Sequence, residues 1–360
     1  MQNLDNRQDR DQADSISSGA SATRGFVLAH LSDVHLSPVP NLSWRYANLK
    51  RVLGFLNWHW KRRSWHSNGA VDALLADIKK AAPRHIAVTG DLVNIGLPRE
   101  YDAAERWLAT VGSVEDVSVI PGNHDIYTDL KDDVGAARWT MYMLGDDELL
   151  QDRACVDQHH ARELPTFPYL RVRDGVALIG MNSAVPTPPF NASGLVPEDA
   201  LGRLEAVLES TAREGLFRCV MIHHPPLPGQ ASMRRGLRSA DALAALLART
   251  GVDLVLHGHN HQNSLVWGEV ECDGPRYPVI GVASASSIHS RDYDPLGGPS
   301  LARYNLIQIS RSSVADPWSI EVVGRGLSDR DGSVRELERF RIFDGVKTDV
   351  AATDANAMQE

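Results

Sequence analysis

Residues Phe26–His35 read FVLAHLSDVH, an apolar run that halts at an aspartate and a histidine. Four later stretches repeat the pattern: HIAVTGD (His85–Asp91), VSVIPGNHD (Val117–Asp125), FRCVMIHH (Phe217–His224) and VDLVLHGHNH (Val252–His261). Each has the length and content of a buried strand, and each stops at Gly, Asn, Asp or His. Helical periodicity fills several of the gaps, over Val71–Lys80, Glu100–Thr110 and Asp241–Thr250. The alternation predicts an α/β protein with strands and helices in layers and polar residues gathered where strands end. After Asn260 the pattern changes to strands alone, as in YPVIGVASAS, RYNLIQIS and WSIEVVGRG, which predicts a second, largely antiparallel sheet.

The chain has 360 residues, 43% of them hydrophobic, enough for a sizeable core. Residues 1–24 and 346–360 are polar and read as disordered tails around a single domain at 25–345. The first 24 residues hold no apolar signal-peptide core, and no window is long and apolar enough to span a bilayer. Cys155, Cys219 and Cys272 are an odd number without close spacing, which argues against a disulfide framework and for a reducing, cytoplasmic setting.

The strand ends carry the chemistry. Asp33, His35, Asp91, Asn123, His223, His259 and His261 are all oxygen or imidazole donors, joined by His124 and Asp125. A core has no use for them, and burying carboxylates unpaired is expensive. Pairs separated by one residue, Asp33 with His35 and His259 with His261, project to the same side of an extended segment. Carboxylate and imidazole suit Mn, Fe or Zn, and the absence of Cys among them disfavours a structural zinc site.

The five blocks DVH, GDLVN, GNHD, HHPP and GHNH, in this order, resemble the calcineurin-like metallophosphoesterase superfamily, in particular its phosphodiesterase-type members; the resemblance runs from about Phe26 to Ser310. It implies a four-layer αββα sandwich of two mixed sheets with two divalent or mixed-valence metal ions between strand ends. It also implies that Asp33, His35 and His261 hold one metal, that Asn123, His223 and His259 hold the other, and that Asp91 bridges them. His124 would act on the phosphoryl oxygen or leaving group, with Asp125 orienting its ring. Such a pair of metals activates a bridging hydroxide to attack phosphorus. Among the other histidines, His224 is expected to point away from the site and His257 to lie behind it. Asn94 stands where many cyclic-nucleotide hydrolases of the superfamily carry an aspartate, which weakens that substrate assignment.

Residues 41–68 and 129–166 look like additions to this scaffold, the latter, with His159 and His160, a loop or cap. From Asn41 to Val71 there are six Lys or Arg and no acid, in a chain of net charge −9. Within it, LNWHWKRRSWH (Leu56–His66) concentrates three of the eight Trp. On a helical projection, Leu49, Val52, Leu53, Leu56 and Trp60 form an apolar stripe, with Lys50, Arg51, Lys61, Arg62 and Trp58 on the other side. Two arrangements follow: the basic side with Trp58 lies on an anionic membrane surface, or the apolar stripe packs on the domain and the basic side is solvated. The first would make the protein peripheral at the inner face of the membrane. A basic, Trp-bearing wall suits a phospholipid-like or other amphipathic phosphodiester. A cyclic nucleotide is the alternative substrate, and a non-catalytic, membrane-docked binding protein the alternative class. Overall acidity argues against an extended nucleic-acid track, and nothing in the sequence sets an oligomeric state.

Overall fold

A computed structural model describes residues 25–60, 62–128, 133–147, 163–270, 276–288, 301–313, 316–328 and 333–350. The five apolar runs become β1 (Phe26–Leu31), β2 (His85–Val88), β3 (Val117–Val119), β6 (Phe217–Met221) and β7 (Leu254–His257). Around them lie β4 (Tyr169–Arg173), β5 (Val176–Gly180), β8 (Ser264–Gly268), β9 (Tyr277–Gly281), β10 (Arg303–Ser310), β11 (Ser319–Leu327), β12 (Val334–Phe343) and β13 (Val346–Asp349). The helices are α1 (Leu49–Trp60), α2 (Asn68–Ala81), α3 (Pro98–Val111), α4 (Glu198–Arg213) and α5 (Ala240–Thr250), so the three helical stretches read from periodicity fall inside α2, α3 and α5.

Two mixed sheets form. One has seven strands in the order β13-β12-β11-β10-β1-β2-β3, the other six in the order β4-β5-β6-β7-β9-β8. The late strands do not build a second sheet of their own, as their uninterrupted run suggested. β9 runs parallel to β7 inside the six-stranded sheet, while β10 pairs antiparallel with β1 (Leu28 opposite Ile307) and extends the seven-stranded one. Pairing with β10 satisfies the edge of β1 that β2 leaves open.

Side chains alternate between the two cores as a period of two requires. In β5, Val176 and Leu178 face the main core between the sheets, and Ala177 and Ile179 face α4 and α5. The buried faces of α2 and α3 close the main core on its outer side, through Leu74, Ile78, Ala104 and Leu108. The order helix, sheet, sheet, helix is the expected four-layer sandwich.

The first residues of the tail expected at 346–360 form a strand, and residues 351–360 lie outside the described residues. Asp344 and Gly345 both take positive φ, 48° and 69°, and turn β12 back on itself so that Val346–Asp349 pair with Phe343–Phe340. Of the segment expected as a loop or cap at 129–166, residues Gly135–Met143 pack beside α3, with Trp139 and Met143 in the main core; residues 129–132 and 148–162, His159 and His160 among them, lie outside the described residues. Cys219 is buried, and Cys155 and Cys272 lie outside the described residues. No helix among the described residues is long and apolar enough to cross a membrane.

Helix α1 forms where its periodicity placed it, but with its faces exchanged. Arg51 is 3% exposed and donates to the carbonyls of Tyr46, Ile95 and Gly96, and Trp58, also 3% exposed, packs with Val39, Ile95, Leu97 and Tyr127. Lys50 donates to the Tyr127 carbonyl and to Thr187 Oγ1. The stripe of Leu49, Val52, Leu56 and Trp60 faces solvent instead, with Trp60 79% exposed. The cause is local: the surface beneath α1 presents backbone carbonyls that need donors, which a guanidinium supplies and a leucine does not. Lys61 and the Arg62 side chain lie outside the described residues.

Candidate metal centre

β1, β2 and β3 run parallel, as do β6 and β7, and the candidate donors follow the carboxyl ends of all five. That is where open α/β sheets gather their ligand sites. Asp33, His35, Asp91, His259 and His261 have φ between 43° and 66°, so five of the seven residues are in the left-handed region. The convergence of Asp33 with His35 and of His259 with His261 therefore comes from sharp turns just beyond the strands, not from extended backbone. Each such residue costs roughly 1–2 kcal/mol, a concentration of strain typical of functional sites.

The donor atoms fall into two sets. In the first, Asp33 Oδ1 lies 3.1 Å from His261 Nε2 and 3.9 Å from His35 Nε2, and the two imidazole nitrogens are 3.3 Å apart. In the second, Asn123 Oδ1 lies 2.9 Å from His259 Nδ1 and 3.2 Å from His223 Nε2. Asp91 Oδ2 stands between the sets, 3.8 Å from His35 Nε2 and 3.4 Å from His223 Nε2. Donors bound at about 2.1 Å to a common ion are about 3.0–3.6 Å apart at ordinary coordination angles, and the separations in both sets are of that size except that between Asp33 and His35, which at 3.9 Å is longer.

The outer contacts make the same case. His35 Nδ1 faces the Val93 carbonyl at 3.1 Å and His223 Nδ1 the Thr89 carbonyl at 2.6 Å. A carbonyl only accepts, so both protons sit on Nδ1 and both Nε2 lone pairs point inward. Acceptors then face acceptors: His223 Nε2 meets Asn123 Oδ1 and Asp91 Oδ2. Only a cation or an extra proton reconciles them. In the protein's own electrostatics the proton does so: against burial, the Asp91 and Asp33 carboxylates push His223 up to about 9. Burial likewise opposes ionisation of Asp33, but the imidazoles of His261, His223 and His35 hold it well below the usual carboxylate range. Divalent ions would displace these protons. The residues present fit a pair of metal ions.

Asp125 does not orient the His124 ring. Its Oδ1 accepts the N–H groups of Leu92 and Val93, and its Oδ2 those of Asp91 and Gly122, at 2.8–3.2 Å. It thereby fixes the loop that presents Asp91, although burial and the Asp91 charge push it up to about 7. The His124 ring is held through Nδ1 by the Asn94 carbonyl. Its backbone N–H donates to Asp91 Oδ1 at 2.7 Å. Glycine is required at 122 because a Cβ there would overlap Asp91 Oδ1.

Asn94 is buried, and its side chain donates to the Leu36 carbonyl, tying the loop after β2 to the one after β1. His224 is held by Ser183 Oγ and the Ala192 carbonyl, its ring against His259, and His257 is buried at the end of β7.

A cleft of about 310 Å³ opens over the donors, lined by Asp91, Asn123, His124, His259 and His261 together with Ala192, Arg235 and Asn260. Sequence reasoning missed Arg235, which donates to the His259 carbonyl, and His66, whose ring centre is 5.0 Å from that of His35. The arginine-rich run MRRGLR (Met233–Arg238) was the available signal for the first; nothing flagged the second.

A family model for calcineurin-like phosphoesterases matches residues 26–263, a span that takes in all seven donors. The chain belongs to the calcineurin-like phosphoesterase family. It is 28% identical over 238 residues to the glycerophosphodiester phosphodiesterase GpdQ of Enterobacter lignolyticus, covering 65% of this chain and 70% of that protein. Among solved structures, a dimetal phosphatase from Danio rerio superposes with a TM-score of 0.51 at 14% identity, covering 85% of this chain and 98% of that one. A purple acid phosphatase from yellow lupin seeds superposes at 0.53 and 12% identity, covering 91% and 57%. The structural likenesses establish the fold. Family membership makes the chain a metal-dependent phosphoester hydrolase.

Proposed function

We propose that this phosphoesterase hydrolyses phosphodiesters with an amphipathic alcohol, at a centre in which Asp33, His35 and His261 hold one metal, Asn123, His223 and His259 a second, and Asp91 bridges them. The observation that carries the reading is the position of Asp91 Oδ2 between two sets of inward-facing donors. When bound, the metal pair supplies an activated water and the positive charge that a diester monoanion neutralises. Asp91 sets the spacing of the two sets, and Asp125 holds Asp91 in place through four N–H bonds. His124, its Nδ1–H committed to Asn94, aids departure of the leaving alcohol from the cleft wall, a contribution of roughly 10²- to 10⁴-fold for a positioned acid.

A diester is favoured by the 28% identity to a glycerophosphodiester phosphodiesterase. The amphipathic part rests on α1, whose Leu49 and Trp60 are 68% and 79% exposed, and on Trp44 in the turn before it, 90% exposed. An apolar face with Trp at its borders, in a segment without acids, suits an anionic lipid surface. The deciding experiment is a panel with added Mn²⁺: bis(p-nitrophenyl) phosphate, p-nitrophenyl phosphate, cyclic nucleotides, glycerophosphodiesters and phospholipids. Cleavage of the diesters well ahead of the monoester, with the lipid-derived members ahead of cyclic nucleotides, is expected. Preference for the monoester would overturn the diester reading, and preference for cyclic nucleotides the amphipathic one.

A further inference from the structure

The inward face of α1 ends at the residue assigned above to the leaving group. Tyr127 lies under the helix, and its ring stacks on that of His124, with centroids 5.5 Å apart and planes 23° from parallel. Lys50 Nζ sits 4.4 Å from the centre of the Tyr127 ring and donates to the Tyr127 carbonyl at 2.9 Å, while the Tyr127 hydroxyl donates to the Lys50 carbonyl at 3.3 Å. At Gly54 the helix approaches so closely that a Cβ would stand 2.5 Å from the Tyr127 hydroxyl and 2.9 Å from Ile95. The His124 Nδ1 is held by the Asn94 carbonyl, and the two residues that follow, Ile95 and Gly96, have their carbonyls held by Arg51 at 3.3 and 3.2 Å. Lys50 also donates to Thr187, on the loop after β5 that supplies Ala192 to the cleft.

We propose that α1 is a positioning element for His124: Lys50 steadies the tyrosine that backs the imidazole, and Arg51 steadies the backbone that receives its Nδ1–H. An acid must be held within a fraction of an ångström of its working position to deliver its full effect, and a carbonyl at Nδ1 fixes one end of the imidazole but not the tilt of its plane. Tyr127 sets that tilt by stacking on the ring face, while His35 meets the ring edge-on with centroids 4.9 Å apart. Lys50, Arg51 and Tyr127 act through His124 and are positioning residues. The proposal rests on the leaving-group role given to His124.

The test uses the full chain and a series of aryl phosphodiesters that differ only in the acidity of the departing phenol, with metal content measured in parallel. His124→Ala is expected to lose most with the most basic phenols. Lys50→Met and Tyr127→Leu should follow the same trend, losing about tenfold in kcat with the poorest leaving group and less than about twofold with p-nitrophenolate, at unchanged KM and metal content. Lys50→Arg, which keeps the charge over the ring, should restore most of the loss. In a His124→Ala background Lys50→Met should cost nothing further. Equal losses across the series, or an undiminished loss in that background, would overturn the positioning role while leaving His124 in place. A flat response of His124→Ala itself would overturn its leaving-group role and this proposal with it.

Discussion

Asp125 accepts four backbone N–H groups through two oxygens, so an amide at this position would aim its NH₂ at two donors whichever way it turned. Asp125→Asn is therefore expected to destabilise the fold by about 2–4 kcal/mol and to weaken metal retention, because the Asp91 loop loses its anchor. A thermal melt and a metal assay on one preparation check both. His124→Ala should lower turnover by roughly 10²-fold or more with metals retained; loss of metal as the main effect would make it a ligand. The seven donors were legible in the sequence because they are polar or ionisable residues placed directly after apolar strands, where a core has no use for them. Asp125 was misread because motif spacing says which residues are adjacent, not that a short carboxylate will turn to the backbone of another loop. His66 was invisible because it lies between two helical segments and follows no apolar strand, the signal that marked the donors.

At the scale of the element, α1 shows the limit of an amphipathic projection. The periodicity gave the helix and its two faces, but which face turns inward depends on the surface beneath, and that surface is made of carbonyls from residues 46, 95, 96 and 127. Vesicle binding should accordingly depend on the apolar side. Replacing Trp44, Leu49 and Trp60 by Ser is expected to abolish co-sedimentation with anionic liposomes and to leave hydrolysis of a soluble diester nearly intact. Trp58→Phe should leave binding unchanged. Elsewhere, Asp77 of α2 accepts two bonds from Arg325 of β11 and one from the Tyr304 hydroxyl of β10, pinning the helix to the sheet. Burial pushes its carboxyl up, but those partners outweigh burial and hold it below the usual range. A depressed carboxylate contributes stability above its unfolded pKa and loses it as pH falls. Asp77→Asn should thus melt a few degrees below the parent at neutral pH, and the gap should close as the solution is acidified below about pH 3.9.

Across the whole molecule, the candidate centre belongs to neither sheet alone. Asp33, His35, Asp91 and Asn123 follow strands of the seven-stranded sheet, and His223, His259 and His261 those of the six-stranded one, so bound metals would tie the two layers together. Stripping metal with a chelator should lower the melting temperature by several degrees, and Mn²⁺ should restore it. The layers and the strand ends were legible because buried runs and their polar stops are local signals. The assignment of the late strands to two sheets was not, since either sheet accepts an apolar strand and the choice is made by which edge stands open. The central claim is a pair of metals sharing Asp91. It is tested most directly by counting metal ions per chain, with and without Asp91→Ala, alongside hydrolysis of bis(p-nitrophenyl) phosphate. About two ions in the parent, one or fewer in the variant, and a loss of activity of roughly 10²-fold or more are predicted. A single ion per chain, retained with full activity after Asp91→Ala, would contradict the account.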